Sequence, residues 1–165
     1  MFFEPGARGR PHSPLEAEPD PTTEIRDLLE RMHDSIVGLQ KAAGLVSDDS
    51  LTRYLAGMAE RRENALQAVS ADAADAGIEP VTDPSGTAVE LLRRGWMHLE
   101  ASVDGDEQVV GTVIDQEQSM LEAIEDALTL DLPTGVERRL RTIAGELGSG
   151  LTGLSEWQDT EDGDR

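Results

Sequence analysis

No cysteine occurs in the 165 residues, which removes a disulfide framework, thiolate metal ligands and a thiol nucleophile together. Aromatic residues make up 3% of the chain, too few for the stacking platform that single-stranded nucleic acid requires. Imidazole is almost as scarce, with only His12, His33 and His98. Positive charge is short as well. Lys and Arg total 14 against 34 Asp and Glu, a formal net charge of −20, and Lys41 is the only lysine. Sequence-independent binding to nucleic acid or to an anionic membrane is therefore not expected, because like charges would meet.

Other absences narrow the class further. No apolar run approaches a membrane span. Phe2 and Phe3 are followed at once by Glu4 and Pro5, so no signal-peptide core forms and a cytoplasmic protein is expected. The serines have no nearby histidine partner, and neither a phosphate-cradling glycine loop nor a dinucleotide fingerprint occurs. Carboxylates are so frequent that an acid–acid spacing match carries no information. The leading expectation is a non-catalytic protein without a cofactor. Its acids are dispersed rather than gathered in one block, and lysine is nearly absent. That pattern is similar to salt-accumulating halophile proteins, and also to what a GC-rich genome encodes; both readings stay open.

The length suits one domain. Residues 1–21, with Pro5, Pro11, Pro14, Pro19 and Pro21, read as a disordered leader. Residues 22–158 read as a helical bundle, and 159–165 as a short acidic tail. Thr22 or Thr23 is the expected cap of a first helix with Ile25, Leu28, Leu29, Met32, Ile36 and Leu39 on one stripe, running to about Val46. The cap-rich turn Ser47-Asp48-Asp49-Ser50 opens a second helix that ends near Gly77. A loop with Pro80, Pro84 and Gly86 leads to a shorter helix carrying Val89, Leu92, Trp96, Leu99 and Val103. Asp104 and Glu107 have capping-box spacing for the next helix, reaching about Leu130. Pro133 opens the last one. Four long helices with one short helix in the long central connection make an all-α antiparallel four-helix bundle with a crossover.

The segment from Leu28 to Ala43 looks like helix one of a ferritin-like four-helix-bundle family, mostly bacterial, filed as a domain of unknown function. Glu60-Arg61-Arg62, Arg94-Gly95-Trp96-Met97, Gly105-Asp106, the segment around Glu117 and Asp131-Leu132-Pro133 resemble its later helices in order. The likeness covers roughly residues 23–157 and implies a ferritin-like fold; the family brings no established reaction.

Ferritin-like di-iron centres need inward carboxylates and Glu-x-x-His pairs, and helical phase tests for them at roughly 100° per residue. Glu30 and His33 have that spacing, yet Glu30 falls opposite the apolar stripe and His33 on its flank. Glu60 turns outward, and Glu63, Glu137 and Glu146 are flanking. A metal site is not expected, with Glu30, His33, Glu63 and Glu117 as the weak candidates. The competing reading is a metal-handling or oxidative-stress protein with iron or manganese at an atypical carboxylate site. His12, His33 and His98 are read as surface histidines.

One pattern breaks the amphipathic rule. Arg62 falls inside the apolar stripe of helix two and Glu117 inside that of helix four, each near mid-helix. A charge there is costly unless paired, so a buried Arg62–Glu117 ion pair is expected, with Ser35 or Gln118 adding hydrogen bonds. The alternative is that both side chains snorkel to solvent. The last helix holds Gly145, Gly148, Gly150 and Gly153, of which only Gly150 leans inward by phase; a fraying helix is expected there, with Trp157 folding back as an anchor. A stress-associated role, exercised through self-association or an unknown protein partner, completes the expectation. A homodimer through a flank with Val37, Leu91 and Leu130 is one form of it.

Overall fold

A computed structural model describes residues 18–79, 96–97 and 105–163. It contains four long helices: α1 (Pro21–Leu45), α2 (Asp49–Asp75), α3 (Asp106–Ala127) and α4 (Thr134–Gly163). No strand occurs among the described residues, and the chain is an all-α bundle. Trp96 and Met97 are helical. The rest of the expected short helix, the leader as far as residue 17, His12, His98, Leu91 and Asp104 lie outside the described residues.

Local chemistry sets the helix ends, in part differently from the expectation. Asp20, not Thr22 or Thr23, caps α1: its carboxylate accepts from Thr23 N at 3.3 Å and from the Thr23 hydroxyl at 3.0 Å. Pro21 holds the first helical position, where no N–H is needed, and this moves the start back. Asp48 caps α2 by accepting from Leu51 N at 2.7 Å. The other end of α2 closes on Gly77, whose φ is 81°. There Gly77 N donates to Ala74 O and Ile78 N to Ala73 O, both at 2.9 Å, a Schellman closure that seats buried Ile78 in the core.

At the start of α3 no side chain caps the helix, and Gly105 occupies the cap position at φ 132°. Asp106 instead reaches back to the α1–α2 turn, accepting from Ser47 N at 2.8 Å and Asp48 N at 2.9 Å. α3 ends at Ala127 rather than Leu130, because Leu128–Leu130 turn through three successive backbone bonds. Pro133 precedes α4 and its carbonyl accepts from Glu137 N at 2.9 Å. Despite its glycines, α4 is unbroken through Gly163, so the acidic end is helical that far.

Cross-contacts fix the helix directions. Arg26 Nε donates to Glu79 O, joining the start of α1 to the end of α2. Asp106 joins the start of α3 to the end of α1. Arg139 meets Asp72 at 2.7 Å, joining the start of α4 to the end of α2. α2 and α3 therefore run the same way, opposite to α1 and α4. Each of α1 and α4 packs against both α2 and α3, which leaves α2 and α3 diagonal across the bundle.

The interior is divided. One apolar cluster contains Ile25, Met32, Val69, Ile124, Leu140 and Leu147; the other contains Leu39, Leu55, Met58, Trp96, Val109 and Leu154. Between them lies a thin polar layer. The glycines separate by role in the same way. A Cβ on Gly145 or Gly148 would meet nothing within 4 Å, so Gly145→Ala should raise stability by up to about 1 kcal/mol through helix propensity. Gly77→Ala forces a left-handed residue to carry a Cβ and should lower stability by about 1–2 kcal/mol. Urea unfolding of the two variants against wild type checks both signs.

Candidate functional site

The polar layer is built from three helices. Ser35 follows Met32 by one turn on α1, Arg62 lies between Ala59 and Val69 on α2, and Glu117 lies between Val113 and Met120 on α3. All three are buried, Glu117 at 1% exposure and Arg62 at 6%. Arg62 Nη2 donates to Glu117 Oε2 at 2.6 Å, and Arg62 Nη1 to Glu117 Oε1 at 3.2 Å. The geometry is a bidentate fork, which adds direction to the charge attraction. Arg62 Nη1 also donates to the Ser35 hydroxyl, which in turn donates to Glu117 Oε1 at 3.2 Å. The ion pair thus spans the bundle diagonal, and Ser35 closes it from the side.

The residues expected at this level are sorted accordingly. Arg62, Glu117 and Ser35 come together; Gln118 does not, because one residue further along the helix turns it into solvent. The fourth helix supplies Gly150, between Leu147 and Leu154. A Cβ there would come within 3.0 Å of Met58 Cε, so the missing side chain makes room for the methionine. Gly150 is not the only inward-working glycine, as phase suggested. Tyr54 lies over Gly153, whose added Cβ would clash with the phenol ring at 2.9 Å from Cζ, and the Tyr54 hydroxyl donates to Gly150 O at 3.2 Å. Trp157 is half-buried against the upper cluster and anchors that end.

A second contact missed by sequence reading lies one turn above Ser35. The indole of Trp96 packs into the notch left by Gly38, where a Cβ would meet Trp96 Nε1 at 3.2 Å and Gln116 Oε1 at 2.9 Å. Trp96 is buried, and its Nε1 has no hydrogen-bond partner among the described residues. Asp34, next to Ser35 but turned away from Arg62 by helical phase, has its carboxyl pushed above the ordinary value. Burial is the main cause, partly offset by His33, whose Nδ1 is 3.9 Å away.

The weak metal candidates are scattered. His33 and Glu63 are exposed and Glu30 is half-buried, while Glu117 has both oxygens committed to Arg62. No group of three or more His, Asp or Glu side chains with metal-holding geometry occurs among the described residues. The donor set therefore does not fit a di-iron centre: one carboxylate faces a guanidinium where a cation would have to bind. Among the described residues no helix is long and apolar enough to cross a membrane.

Fold and layer together define a class, the all-helical bundle with a charged pair locked in its centre. Within that class the chain belongs to the family described as Domain of unknown function (DUF2383), whose model matches residues 20–130. That span holds α1, α2, α3 and the whole Ser35–Arg62–Glu117 cluster. No curated protein and no solved structure matches the chain.

Two outcomes follow from this geometry. Arg62→Leu leaves the Glu117 charge buried without a partner and should cost about 3–5 kcal/mol, whereas Arg62→Leu with Glu117→Leu should recover most of it. A double-mutant cycle in thermal or denaturant unfolding measures the coupling. Asp34 behaves differently. Its folded-state value is raised, so its ionisation opposes folding, and the stability it retains below the unfolded value is lost as pH rises through the folded one. Asp34→Asn should raise the melting temperature at neutral pH. The gain should vanish in acid, where the wild-type carboxyl is protonated in both states.

Proposed function

We propose that this chain is a non-catalytic, ferritin-like helical bundle that acts through its surface, by self-association or by binding a protein partner. The observation that carries the reading is the occupation of Glu117. In a ferritin-type bundle the mid-height layer holds metal between inward carboxylates; here the corresponding layer holds the Arg62 guanidinium, 2.6 Å from Glu117 Oε2. The positive charge that a carboxylate in an apolar interior demands is supplied by the chain itself. Helix directions support the ferritin-like arrangement. α2 leaves one end of the bundle and α3 begins at the other, as a long crossover between the second and third helices requires.

A buried pair of this kind is best understood as a device for register. It fixes α2 against α3 along the diagonal, a use better attested than net stabilisation. With the interior so occupied, the surface is what remains for recognition. Metal analysis of protein purified without chelator tests the reading directly. The expected content is far below one iron or manganese per chain. A stoichiometric metal that is lost on Glu117→Ala would overturn the proposal and favour metal handling.

A further inference from the structure

The two halves of α4 are held very differently. From Thr134 to Leu147 the helix buries Val136, Leu140, Ile143 and Leu147; from Gly148 to Gly163 its only buried apolar side chain is Leu154. Trp157 is half-buried in the same cluster. Gly145, Gly148, Gly150 and Gly153 stand at the junction. Gly150 and Gly153 leave room for Met58 and Tyr54, but a Cβ on Gly145 or Gly148 would meet nothing within 4 Å. Each glycine weakens a helix relative to alanine, and at these two no close contact offsets the loss.

Charge works against the same half. Glu156, Asp159, Glu161 and Asp162 occupy its end with no basic residue in the last turn, and the C-terminal end of a helix disfavours anions. The elements beside it are acidic too. Gln158 lies next to Gly111 on α3, and Glu161 lines a hollow with Asp48, Asp106 and Glu107, from the starts of α2 and α3. Ser47 N and Asp48 N hold the Asp106 carboxylate, and Leu51 N holds that of Asp48, so both charges stay at the hollow. Among the described residues the bases at this end are Arg53, early in α2, and Lys41, late in α1. α1 lies across the bundle diagonal from α4.

We propose that the second half of α4, from Gly148 onward, is a salt-gated flap that leaves the bundle as one unit at low ionic strength and closes as salt rises. Gly145 and Gly148 are its hinge. Leu154, Trp157 and the hydrogen bond from the Tyr54 hydroxyl to Gly150 O are its latch, and the repulsion between carboxylates opposes them. That repulsion reaches about 30 Å at 0.01 M salt and about 3 Å at 1 M. A detached segment this short and rich in glycine does not stay helical, so leaving the bundle and unwinding are one event. Opening withdraws Leu154 and Trp157 from the upper cluster and uncovers the apolar surface they close. The first half of α4 keeps its four anchors, and the Ser35–Arg62–Glu117 layer, supplied by the other three helices, stays shut. Ionic strength is thereby converted into exposure of apolar surface on an intact bundle.

Amide hydrogen exchange of the full chain, read by mass spectrometry as protection factors at about 0.01 M and about 1 M salt, tests this. At low salt, residues 151–161 should share one protection level at least about tenfold below that of residues 138–147. High salt should narrow the gap at least about fivefold while protection in α1 stays within about twofold. At low salt Gly148→Ala should raise protection of the flap about fivefold, through helix propensity alone. The triple variant Asp159→Asn, Glu161→Gln, Asp162→Asn should raise it as well and flatten the salt response. Equal protection in both halves of α4 at low salt overturns the flap, and so does a loss confined to the last turn, which is ordinary end fraying. A weakly protected second half that responds neither to salt nor to the triple variant overturns the gating. A salt response shared equally by α1 is global stabilisation and overturns it too.

Discussion

A guanidinium and a carboxylate held 2.6 Å apart between two apolar clusters impose a strict condition on everything around them. Either charge alone in that place would be costly to desolvate, so α2 and α3 must arrive at one height and in one rotation. The two helices do not pack side by side; they face each other across the diagonal. Any slip of one turn in either helix would carry Arg62 into one apolar cluster or Glu117 into the other. The Ser35 hydroxyl adds α1 to the same constraint. Gly150 gives α4 its part by leaving space for Met58.

The rest of the fold arranges itself around that layer. Below it the core is aliphatic, with Ile124, Leu140 and Leu147 fully enclosed; above it Trp96 and Leu154 fill the space with smaller valines from α3. The ends are held by short-range polar devices, the Gly77 closure at the foot and the Asp106 carboxylate at the head. Because the centre is internally neutralised, the acid excess lies almost wholly outside, where it sets how the molecule meets others.

Much of this was legible in the sequence, for reasons that can be traced. A 3.6-residue period placed the four long helices, and the same period exposed Arg62 and Glu117 as charges on apolar stripes. Ser35 and Gln118 were equal candidates to add hydrogen bonds to the pair; only Ser35 shares the buried face of its helix with Met32 and Leu39. Contacts between distant segments were out of reach. Asp106 bonds a turn more than fifty residues earlier, and no local pattern marks it. Gly38 and Gly153 look like helix-weakening residues until Trp96 and Tyr54 are seen lying on them. The cap moved from threonine to Asp20 because Pro21 tolerates the first helical position, a detail in which two adjacent rules compete. Periodicity tells which side of a helix is inside but not which helix lies opposite, and the diagonal placement of α2 and α3 is of that second kind.

The central claim is that Arg62 is locked to Glu117 in the interior, and its guanidinium protons report on this most directly. In nitrogen-15 NMR of the folded protein, one arginine should show separate, slowly exchanging Nη resonances at neutral pH. Those resonances should disappear in Glu117→Gln while the fold is retained. If every arginine shows averaged Nη signals exchanging rapidly with water, Arg62 reaches solvent, and the account of a register-setting buried pair is contradicted.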